Sequence, residues 1–376
     1  MFSENNPFVL TGYISEDYFC DRKDESRRLI SEITNGNNLA LISTRRMGKT
    51  GLIQHCFHKK ELATKYYSFF VDIYATKSLR DFTFLFSKVI FEQLKSFGKK
   101  AVEDFWHTVK SLQAGISFDV SGNPSIYLNL GDIQNPETTL DEIFKYINKA
   151  AKPCLIAIDE FQQIAAYPEK NVEALLRSHI QRCNNARFVF AGSQRHVMGN
   201  MFLSASRPFY QSVSMMQLNS IDLQEYIAFV QRHFRENGKD ISASVVEIIY
   251  NTFDGITWYM QKILHTLYNT TPKGKICNED AIAGAIDFVV NSNEYAYSEI
   301  LFRLPEKQKE LLVVIAKEGN TQAVTSSQFV KKHKLTSASS VQAALKGLLE
   351  KDFVTQEKDN IQIYDRFFGI WLKRNY

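Results

Sequence analysis

The sequence predicts an α/β protein in which a parallel sheet is followed by a helical subdomain and a C-terminal winged helix. Short apolar runs alternate with helical patterns as far as Ala191, which is typical of repeated βα units. From Asp222 onward the patterns are helical only, and after Pro305 three short helical patterns precede two strand-like runs. We therefore expect three domains, at residues 1–221, 222–302 and 303–376.

The elements of the first domain follow from apolar runs and helical spacing. Apolar runs predict strands at residues 39–43, 66–74, 154–158 and 188–191. Three- and four-residue apolar spacing predicts helices at residues 51–62, 79–97, 137–150 and about 170–183. Residues 115–131 alternate in polarity around a Ser-Gly-Asn-Pro turn, which predicts an inserted hairpin. We assign no function to this hairpin.

The second and third domains are predicted in the same way. The helical subdomain is expected to contain helices at about 222–236, 242–253, 257–269 and 278–301. The winged helix is expected to contain helices at 306–317, 326–333 and 337–350, then strands at 353–356 and 361–364.

Composition excludes several classes of protein. Hydrophobic residues make up 44% and charged residues 23% of the 376 residues, which is close to the globular average and excludes a disordered or collagen-like chain. The five cysteines are scattered without a C-x-x-C pair, which favours a reducing compartment. The N-terminus lacks a signal-peptide pattern, and no run approaches the roughly 18 apolar residues of a membrane span. We expect a cytoplasmic protein without a membrane partner.

The positive charge of the chain is concentrated near its C-terminal end. From Arg303 onward there are 13 Lys+Arg against 8 Asp+Glu, which leaves 32 against 33 of the total of 45 and 41 for the residues upstream. This excess suits an anionic partner, and it is equally compatible with an ordinary solvated surface.

The most informative motif is a phosphate-binding loop with one departure from its consensus. The segment from Ser43 to Thr50 matches G-x-x-x-x-G-K-[ST], except that Ser43 stands at the first glycine position. Lys49 is expected to reach the β- and γ-phosphates, Thr50 to supply a hydroxyl to Mg²⁺, and the helix N-terminus to favour anions. The predicted nucleotide-binding residues of this loop are Ser43, Thr44, Arg45, Arg46, Met47, Gly48, Lys49, Thr50 and Gly51. The alternative is a chance Gly-Lys-Thr at the start of a helix.

A second motif supplies two carboxylates at the end of an apolar strand. Residues 155–158 are apolar and are followed by Asp159 and Glu160. Asp159 is a candidate Mg²⁺ ligand, and Glu160 is the candidate catalytic base that polarises the attacking water. Acidic residues are also common as surface caps of strands, but together with the preceding loop they predict binding of ATP or ADP.

These motifs resemble those of the archaeal-type P-loop ATPases of the AAA+/STAND group, over nearly the whole chain. Arg45 to Thr50 is similar to the family's P-R-R-x-G-K-T, and residues 159–162 are similar to its D-E-F/I-Q. Residues 254–259 resemble its G-G-x-P-x-Y lid segment, and residues 365–372 its D-P-x-F-x-x-W-L ending. The resemblance implies a P-loop NTPase parallel sheet with a helical lid subdomain and a C-terminal winged-helix domain. The family's glycine and proline are replaced at Ser43 and Thr257.

The resemblance also implies roles for four further residues. Phe19 and Arg22 lie in a segment like the family's F-x-x-R-x-x-E box, which is found near the adenine. Ser193 matches the position of the sensor 1 polar residue, which contacts the γ-phosphate. Arg207 lies where such ATPases often carry an arginine finger, and a homo-oligomer is left open. The plainer alternatives are packing for Phe19 and Arg22, a strand cap for Ser193 and a solvated side chain for Arg207.

The leading hypothesis for function is an ATP-hydrolysing molecular switch whose nucleotide state repositions the winged helix. The winged helix itself either binds duplex DNA, with backbone contacts from Lys331, Lys332 and Lys334, or docks a client protein. The alternative function is a DNA-binding regulatory protein whose nucleotide is structural and poorly hydrolysed. Glu160 argues for turnover, whereas Ser43 keeps this alternative open.

Overall fold

The computed structural model describes residues 6–112, 115–118, 124–127, 133–357 and 359–376. The chain divides into two compact units. The core unit is Thr11–Ile221, and the helical unit is Asp222–Tyr376 together with the described residues up to Leu10.

The core unit contains seven described strands, of which five form a parallel sheet in the order β2-β5-β6-β1-β7. The remaining two strands, β3 and β4, pair antiparallel and confirm the hairpin, while its turn lies outside the described residues. The strands are β1 (Leu39–Ile42), β2 (Tyr67–Asp72), β3 (Gly115–Phe118), β4 (Pro124–Tyr127), β5 (Cys154–Asp159), β6 (Ala186–Gly192) and β7 (Ser214–Gln217).

Eight described helices accompany these strands. They are α1 (Lys23–Thr34), α2 (Lys49–His58), α3 (Lys60–Ala63), α4 (Leu79–Phe97), α5 (Lys99–Thr108), α6 (Pro136–Lys149), α7 (Val172–Arg182) and α8 (Arg195–Leu203). Short 3₁₀ helices span Glu16–Tyr18 and Phe161–Ala166. Helices α1, α5 and α8 were absent from the sequence prediction, and the predicted helix 51–62 is divided into α2 and α3 by Lys59, whose backbone is extended.

The register of the sheet brings four strand ends to one edge. Asp159, the last residue of β5, lies beside Asp72 of β2, and Ile42, the last residue of β1, lies beside Gly192 of β6. All residues of β1 and β5 are buried, as expected for central strands covered on both faces. Since ligands of open α/β sheets bind outside the carboxyl ends of the strands, the segments that follow β1, β5 and β6 are positioned to form a site.

The helical unit contains helices and two short strand pairs. Its elements are α9 (Leu223–Glu236), β8 (Asp240–Ile241), α10 (Ala243–Thr252), α11 (Thr257–Thr270), β9 (Ile276–Cys277), α12 (Asp280–Asn291), α13 (Glu294–Phe302), α14 (Glu306–Glu318), α15 (Ser327–Lys332), α16 (Ala338–Glu350), β10 (Val354–Glu357), β11 (Asn360–Ile363) and α17 (Arg366–Asn375). The pair β10-β11 is antiparallel and β8-β9 is parallel.

The structure corrects three expectations for the helical unit. The segment predicted as purely helical also contains β8 and β9. The predicted helix 278–301 is broken between α12 and α13, where Ser292 Oγ and Asn293 Nδ2 donate to the carbonyls of Phe288 and Val289 and compete with the helical backbone. Helix α17 was not predicted. It begins where Asp365 Oδ1 accepts hydrogen bonds from the backbone of Phe367 and Phe368.

The N-terminal segment packs in the helical unit, whereas the sequence prediction assigned it to the first domain. Phe8 is 1% exposed and contacts a cluster of aromatic rings from α9 and α11, namely Phe229, His233, Phe234 and Tyr268. Asn6 Nδ2 donates to the carbonyl of His265 at 2.9 Å. The three-domain division remains a prediction.

Two further observations concern the cysteines and the length of the helices. The five cysteines are buried free thiols. In the described part of the chain, no helix is both long enough and apolar enough to cross a membrane.

Candidate nucleotide-binding site

The segment between β1 and α2 forms a loop that ends in a left-handed glycine. Gly48 has φ +94° and caps the N-terminus of α2, and an added Cβ there would meet no atom within 4 Å. Glycine adopts this conformation without the steric cost of a side chain. Arg46 also has a positive φ, of 68°. The loop therefore turns sharply into the first turn of α2, where unpaired backbone N–H groups favour an anion.

Lys49 is the buried cation of this loop. It is 5% exposed, and its Nζ donates to Ser43 Oγ at 3.3 Å. Ser43 Oγ in turn donates to the carbonyl of Thr44 at 2.8 Å. Burial lowers the pKa of Lys49, while the carboxylates of Glu160 and Asp159 act in the opposite direction. The ammonium thus lies in the combined field of both predicted acidic residues.

Thr50 and Asp159 form a direct hydrogen bond across the loop. Thr50 Oγ1 donates to Asp159 Oδ2 at 2.6 Å, and Asp159 is 5% exposed. Burial raises the pKa of Asp159, although the Thr50 hydroxyl and the Lys49 ammonium oppose that effect. A hydroxyl and a carboxylate are hard oxygen donors of the kind that Mg²⁺ prefers, so this pair fits a magnesium site.

Glu160 is held by two polar side chains beyond the end of β5. Its backbone is left-handed, with φ 55°. Its Oε2 accepts hydrogen bonds from Ser193 Oγ at 2.8 Å and from Gln162 Nε2 at 2.5 Å. The structure therefore brings Glu160 and Ser193 together, as the adjacent strands β5 and β6 require. Gln162 belongs to the D-E-F/I-Q-like segment at residues 159–162 but was not predicted as a site residue.

Gly192 permits the close approach of Gln162. A Cβ on Gly192 would lie 2.6 Å from Gln162 Oε1 and 2.6 Å from the Met198 side chain. Such a distance requires a neighbouring group to move, so this position accepts only glycine without rearrangement. The signal in the sequence that could have found this contact is Gly192 at the end of β6, immediately before Ser193.

Arg195 is a second residue that the sequence analysis did not predict. It is the first residue of α8, two positions beyond Ser193. Its Nη2 donates to Thr44 Oγ1 at 2.9 Å. A guanidinium from the segment after β6 therefore reaches the phosphate-binding loop after β1.

Arg22 and Phe19 lie beside the loop and α2. Arg22 is 3% exposed, donates to Glu25 Oε1 at 2.8 Å, and donates to the carbonyl of Met47 at 3.3 Å. The ring of Phe19 stacks on His55 of α2, with centroids 4.1 Å apart and an interplanar angle of 13°. Arg22 thus stabilises the loop backbone through its hydrogen bond to Met47. The predicted roles of Phe19 and Arg22 beside the adenine stay predictions.

Arg45 and Arg207 have clear side-chain partners. Arg45 lies over the ring of Tyr74, with its guanidinium carbon 5.3 Å from the ring centroid, and Tyr74 is 57% exposed. Arg207 forms an ion pair with Glu173 of α7 in the same chain. The structure thus brings the predicted residues of the phosphate-binding loop and of the ends of β5 and β6 to one edge of the sheet. Arg207 instead forms its ion pair with α7.

Two protein families match the chain. The model described as "ATPase domain predominantly from Archaea" matches residues 19–263, and the model described as "Probable winged helix domain" matches residues 295–374. No curated protein shows a significant match.

Solved archaeal structures share the fold over nearly their full length. A Walker-type ATPase of Pyrococcus abyssi has a TM-score of 0.67 and 18% identity, with 98% of this chain and 99% of that chain covered. The Aeropyrum pernix ORC2 protein in its ADPNP-ADP complexes has a TM-score of 0.60 and 14% identity, with 99% and 96% covered. The Aeropyrum pernix ORC1 protein in complex with DNA has a TM-score of 0.51 and 13% identity, with 96% and 94% covered.

Proposed function

This chain belongs to the family of ATPase domains found predominantly in Archaea and carries a C-terminal winged helix, and from that premise we propose that it binds ATP with Mg²⁺ and hydrolyses ATP to ADP and phosphate. The observation that carries the proposal is the group of polar side chains at one sheet edge. It consists of Lys49, Thr50, Asp159, Glu160 and Ser193, linked as described above.

The phosphate-binding part of the proposal concerns the loop from Ser43 to Gly51. Backbone N–H groups of the loop and of the first turn of α2 surround the β-phosphate, because the N-terminus of a helix favours an anion. Lys49 then neutralises charge on the β- and γ-phosphates. Since Lys49 is already buried next to Ser43, its ammonium needs little reorganisation to meet a phosphate oxygen.

Thr50 and Asp159 are the proposed residues for Mg²⁺. The ion, when bound, neutralises charge on the phosphates. Thr50 supplies its hydroxyl oxygen, and Asp159 supplies a carboxylate oxygen directly or through water. Their 2.6 Å hydrogen bond holds both oxygens on one side of the loop, which supports a shared ion.

Glu160 is the proposed base for the attacking water. A carboxylate that accepts hydrogen bonds from Ser193 and Gln162 has a defined orientation, and orientation of the water relative to the γ-phosphate is the main requirement of this chemistry. The hydrogen bond from Ser193 to Glu160 supports a role for Ser193 in sensing the γ-phosphate beside the water.

The proposed switch depends on contacts between the lid segment and the winged helix. Within the helical unit, Arg366 Nη2 donates to Asp254 Oδ2 at 2.8 Å. The hydroxyl of Tyr259 donates to the carbonyl of Tyr364 and accepts from the backbone of Arg366, each at 3.2 Å. These bonds connect residues 254–259 with the start of α17, so a movement of one would be transmitted to the other.

Duplex DNA is the proposed partner of the winged helix. Lys331 and Lys334 are exposed beside α16, and the DNA complex of Aeropyrum pernix ORC1 supports this choice over a protein client.

A DNA-binding regulator with a structural nucleotide is the second candidate, because Ser43 replaces the first glycine of the loop. We further propose a cytoplasmic location, which the buried free thiols support.

ATP turnover with and without duplex DNA tests the proposal. We expect turnover by the full chain and its loss in Lys49→Ala, because that variant removes the cation directed at the phosphates. Calorimetry on Lys49→Ala should show no ATP binding. Unchanged affinity would contradict the phosphate-loop assignment, and ATP binding by the unmodified chain without turnover in either condition would favour the second candidate.

A further inference from the structure

Helices α12 and α13 of the helical unit carry three solvent-exposed aromatic rings. Phe288, Tyr295 and Phe302 are 64%, 80% and 78% exposed. They follow one another at seven-residue spacing, which places side chains on the same face of a helix two turns apart. Between the helices, Ser292 (φ −61°, ψ −19°) and Asn293 (φ −110°, ψ 4°) form a single 3₁₀-like turn. The three rings therefore form one row, here called the aromatic row.

The opposite side of these helices packs within the helical unit. Tyr297 lies two residues beyond Tyr295 and is buried. Its ring contacts Phe368 and Trp371 of α17, with centroids 5.2 and 5.9 Å away. The aromatic row is thus the outer side of the helices.

The aromatic row is a large apolar surface. A buried aromatic side chain removes about 150–250 Å² from water, so three rings with these exposures present on the order of 400 Å². A patch of this size on a soluble protein marks an interaction site. Lys309 lies beside one end of the row, with its ammonium 5.9 Å from the centroid of Phe302, and leaves that ring largely exposed. Two copies that cover each other's row would bury roughly 800 Å² of ring surface, and neighbouring side chains would bring the total to the roughly 1,200 Å² at which specific interfaces begin.

Small residues alternate with the rings along the row. Gly284 precedes Phe288 by four positions, and Asn291 and Ser298 each follow a ring by three positions. All three small residues are exposed. An added Cβ on Gly284 would meet no atom within 4 Å, so there is open space over this residue. Such a surface offers both rings and the spaces that rings can fill.

A second copy that runs in the opposite direction fits this alternation. A two-fold axis beside Asn293 places each ring of one copy over a small residue of the other. The pairs are Phe288 with Ser298, Tyr295 with Asn291, and Phe302 with Gly284. A two-fold interface uses the same surface on both copies, so each pair occurs twice and all six rings are covered.

Charges at the two ends of the row favour the same direction. Glu279 and Asp280 are exposed at the start of α12, and Arg303 is exposed directly after Phe302. Arg303 forms only an exposed ion pair at 3.4 Å, with Glu299 of its own helix. The antiparallel arrangement brings Arg303 of one copy near the two carboxylates of the other, whereas a parallel arrangement would place like charges together.

We infer that the aromatic row is a self-association surface through which two copies of this chain form an antiparallel dimer. The inference does not depend on the proposed function, because the row lies in the helical unit and contains none of the proposed nucleotide-binding residues.

The test is analytical ultracentrifugation of the full chain at concentrations up to about 100 μM. The protein is first freed of nucleic acid, because bound DNA could itself join two copies. The unmodified chain should change from monomer to dimer in this range. Tyr295→Ser should weaken dimerisation by at least about tenfold, since tyrosine side chains at the centre of an interface carry much of its binding energy. Leu203→Ser is the matched control, because Leu203 is an exposed apolar residue of α8, outside the row, and its loss should leave dimerisation unchanged.

Gly284→Leu tests the fit of ring over glycine without removing a ring. Leucine fills the space assigned to Phe302 of the second copy, so dimerisation should again weaken by about tenfold or more. Thermal unfolding of the monomer should not occur at a lower temperature, because leucine favours a helix more than glycine does. This measurement separates a lost contact between copies from a damaged fold.

A short thiol cross-linker tests the direction of the two copies. Gly284→Cys and Phe302→Cys chains should cross-link when mixed, and neither variant should cross-link to itself. The unmodified chain, whose cysteines are buried, is the control.

Three results would overturn the inference. The first is an unmodified chain that stays monomeric throughout, which would favour a different protein as the partner of this surface. The second is dimerisation of Tyr295→Ser and Gly284→Leu at the unmodified affinity. The third is cross-linking within each cysteine variant alone, which would exclude the antiparallel pairing.

Discussion

The hydroxyl of Ser43 accepts a hydrogen bond from the ammonium of Lys49 at 3.3 Å. Both side chains are buried, and Ser43 stands where the phosphate-loop consensus has glycine. The departure from the consensus thus supplies an acceptor to a buried cation, which would otherwise be costly to leave without one. Ser43 is therefore a partner of the phosphate-binding lysine.

Ser43→Ala should destabilise the nucleotide-free protein more than the ATP-bound protein. Without nucleotide, the loss of the acceptor should lower the free energy of unfolding by about 1–3 kcal/mol. Bound ATP supplies phosphate oxygens as replacement acceptors for Lys49. Saturating ATP should therefore reduce the difference in stability between the variant and the unmodified chain. Thermal unfolding with and without ATP measures both effects.

Ser87→Ala is the control for this comparison. Ser87 is also buried, and its hydroxyl donates to the carbonyl of Thr83 within α4 at 2.6 Å. Ser87→Ala should lose the same amount of stability with and without ATP. If Ser43→Ala behaved in that same way, Ser43 would have no part in the response to nucleotide.

Glu160→Gln should keep ATP bound and slow hydrolysis by at least about a hundredfold. The amide fills the same volume and can still accept a hydrogen bond from Ser193, but it cannot take the proton of the attacking water. Binding is followed by calorimetry and turnover by phosphate release. Glu137→Gln, at an exposed carboxylate of α6, should turn over ATP normally. Hydrolysis by Glu160→Gln at the unmodified rate would exclude Glu160 as the base.

Arg207→Ala should lower the free energy of unfolding, and this decrease should become larger as the pH rises. Burial raises the pKa of Glu173, and the charge of Arg207 lowers it again. Without Arg207 the folded-state pKa rises further above the unfolded value, so the folded protein binds the proton more tightly. Stability is then retained below the unfolded pKa and lost as the pH rises through the folded pKa.

We expect the free energy of unfolding of Arg207→Ala to fall by about 1–3 kcal/mol at neutral pH and by less at pH 5. Urea unfolding at both pH values measures this. Combining Arg207→Ala with Glu173→Gln should recover most of the stability, because no buried charge is then left. A variant with full stability and impaired turnover would instead favour the arginine-finger prediction.

The lysines beside α16 should contribute unequally to DNA binding. Each phosphate contact adds about 0.9 to the slope of log affinity against log salt. Replacing Lys331, Lys332 and Lys334 together with Ala should flatten that slope by about two to three units. Lys332→Ala alone should have a smaller effect than Lys331→Ala, because Lys332 Nζ donates to Glu318 at 2.8 Å.

Titration of duplex DNA at several salt concentrations provides the slopes. Lys100→Ala, at an exposed lysine of α5 in the core unit, is the control that should leave the slope unchanged. No binding at low salt in the nucleotide-free, ADP and ATP states would exclude DNA and favour a protein client. ATP affinity should be unaffected in all of these variants.

Much of the fold could be predicted because its signals are local. The apolar run before Asp159 and the Leu79–Phe97 pattern were recognisable as strand and helix, since burial on a sheet or on one helix face imposes a period on the sequence. Helix α17 was missed because only Tyr364 lies between β11 and its N-cap at Asp365, which leaves no turn signal between the strand and the helix. The break between α12 and α13 was missed because it depends on side-chain hydrogen bonds to the helix backbone.

Local residue patterns identified the chemistry of the candidate site. The Gly48-Lys49-Thr50 and Asp159-Glu160 segments were recognisable from their own neighbours in the chain, because one follows the pattern of a turn into a helix and the other ends an apolar run. Their predicted roles followed from residue type and spacing.

Tertiary structure alone decided which distant side chains meet. Whether Arg195 or Arg207 reaches the phosphate-binding loop depends on the order of strands, which makes β6 the neighbour of β1, and on the burial of Glu173, which engages Arg207. Gln162 reaches Glu160 and Ser193 only because Gly192 has no side chain in its path. These contacts join residues far apart in sequence, so their geometry is set by strand pairing and packing, for which no single segment carries the information.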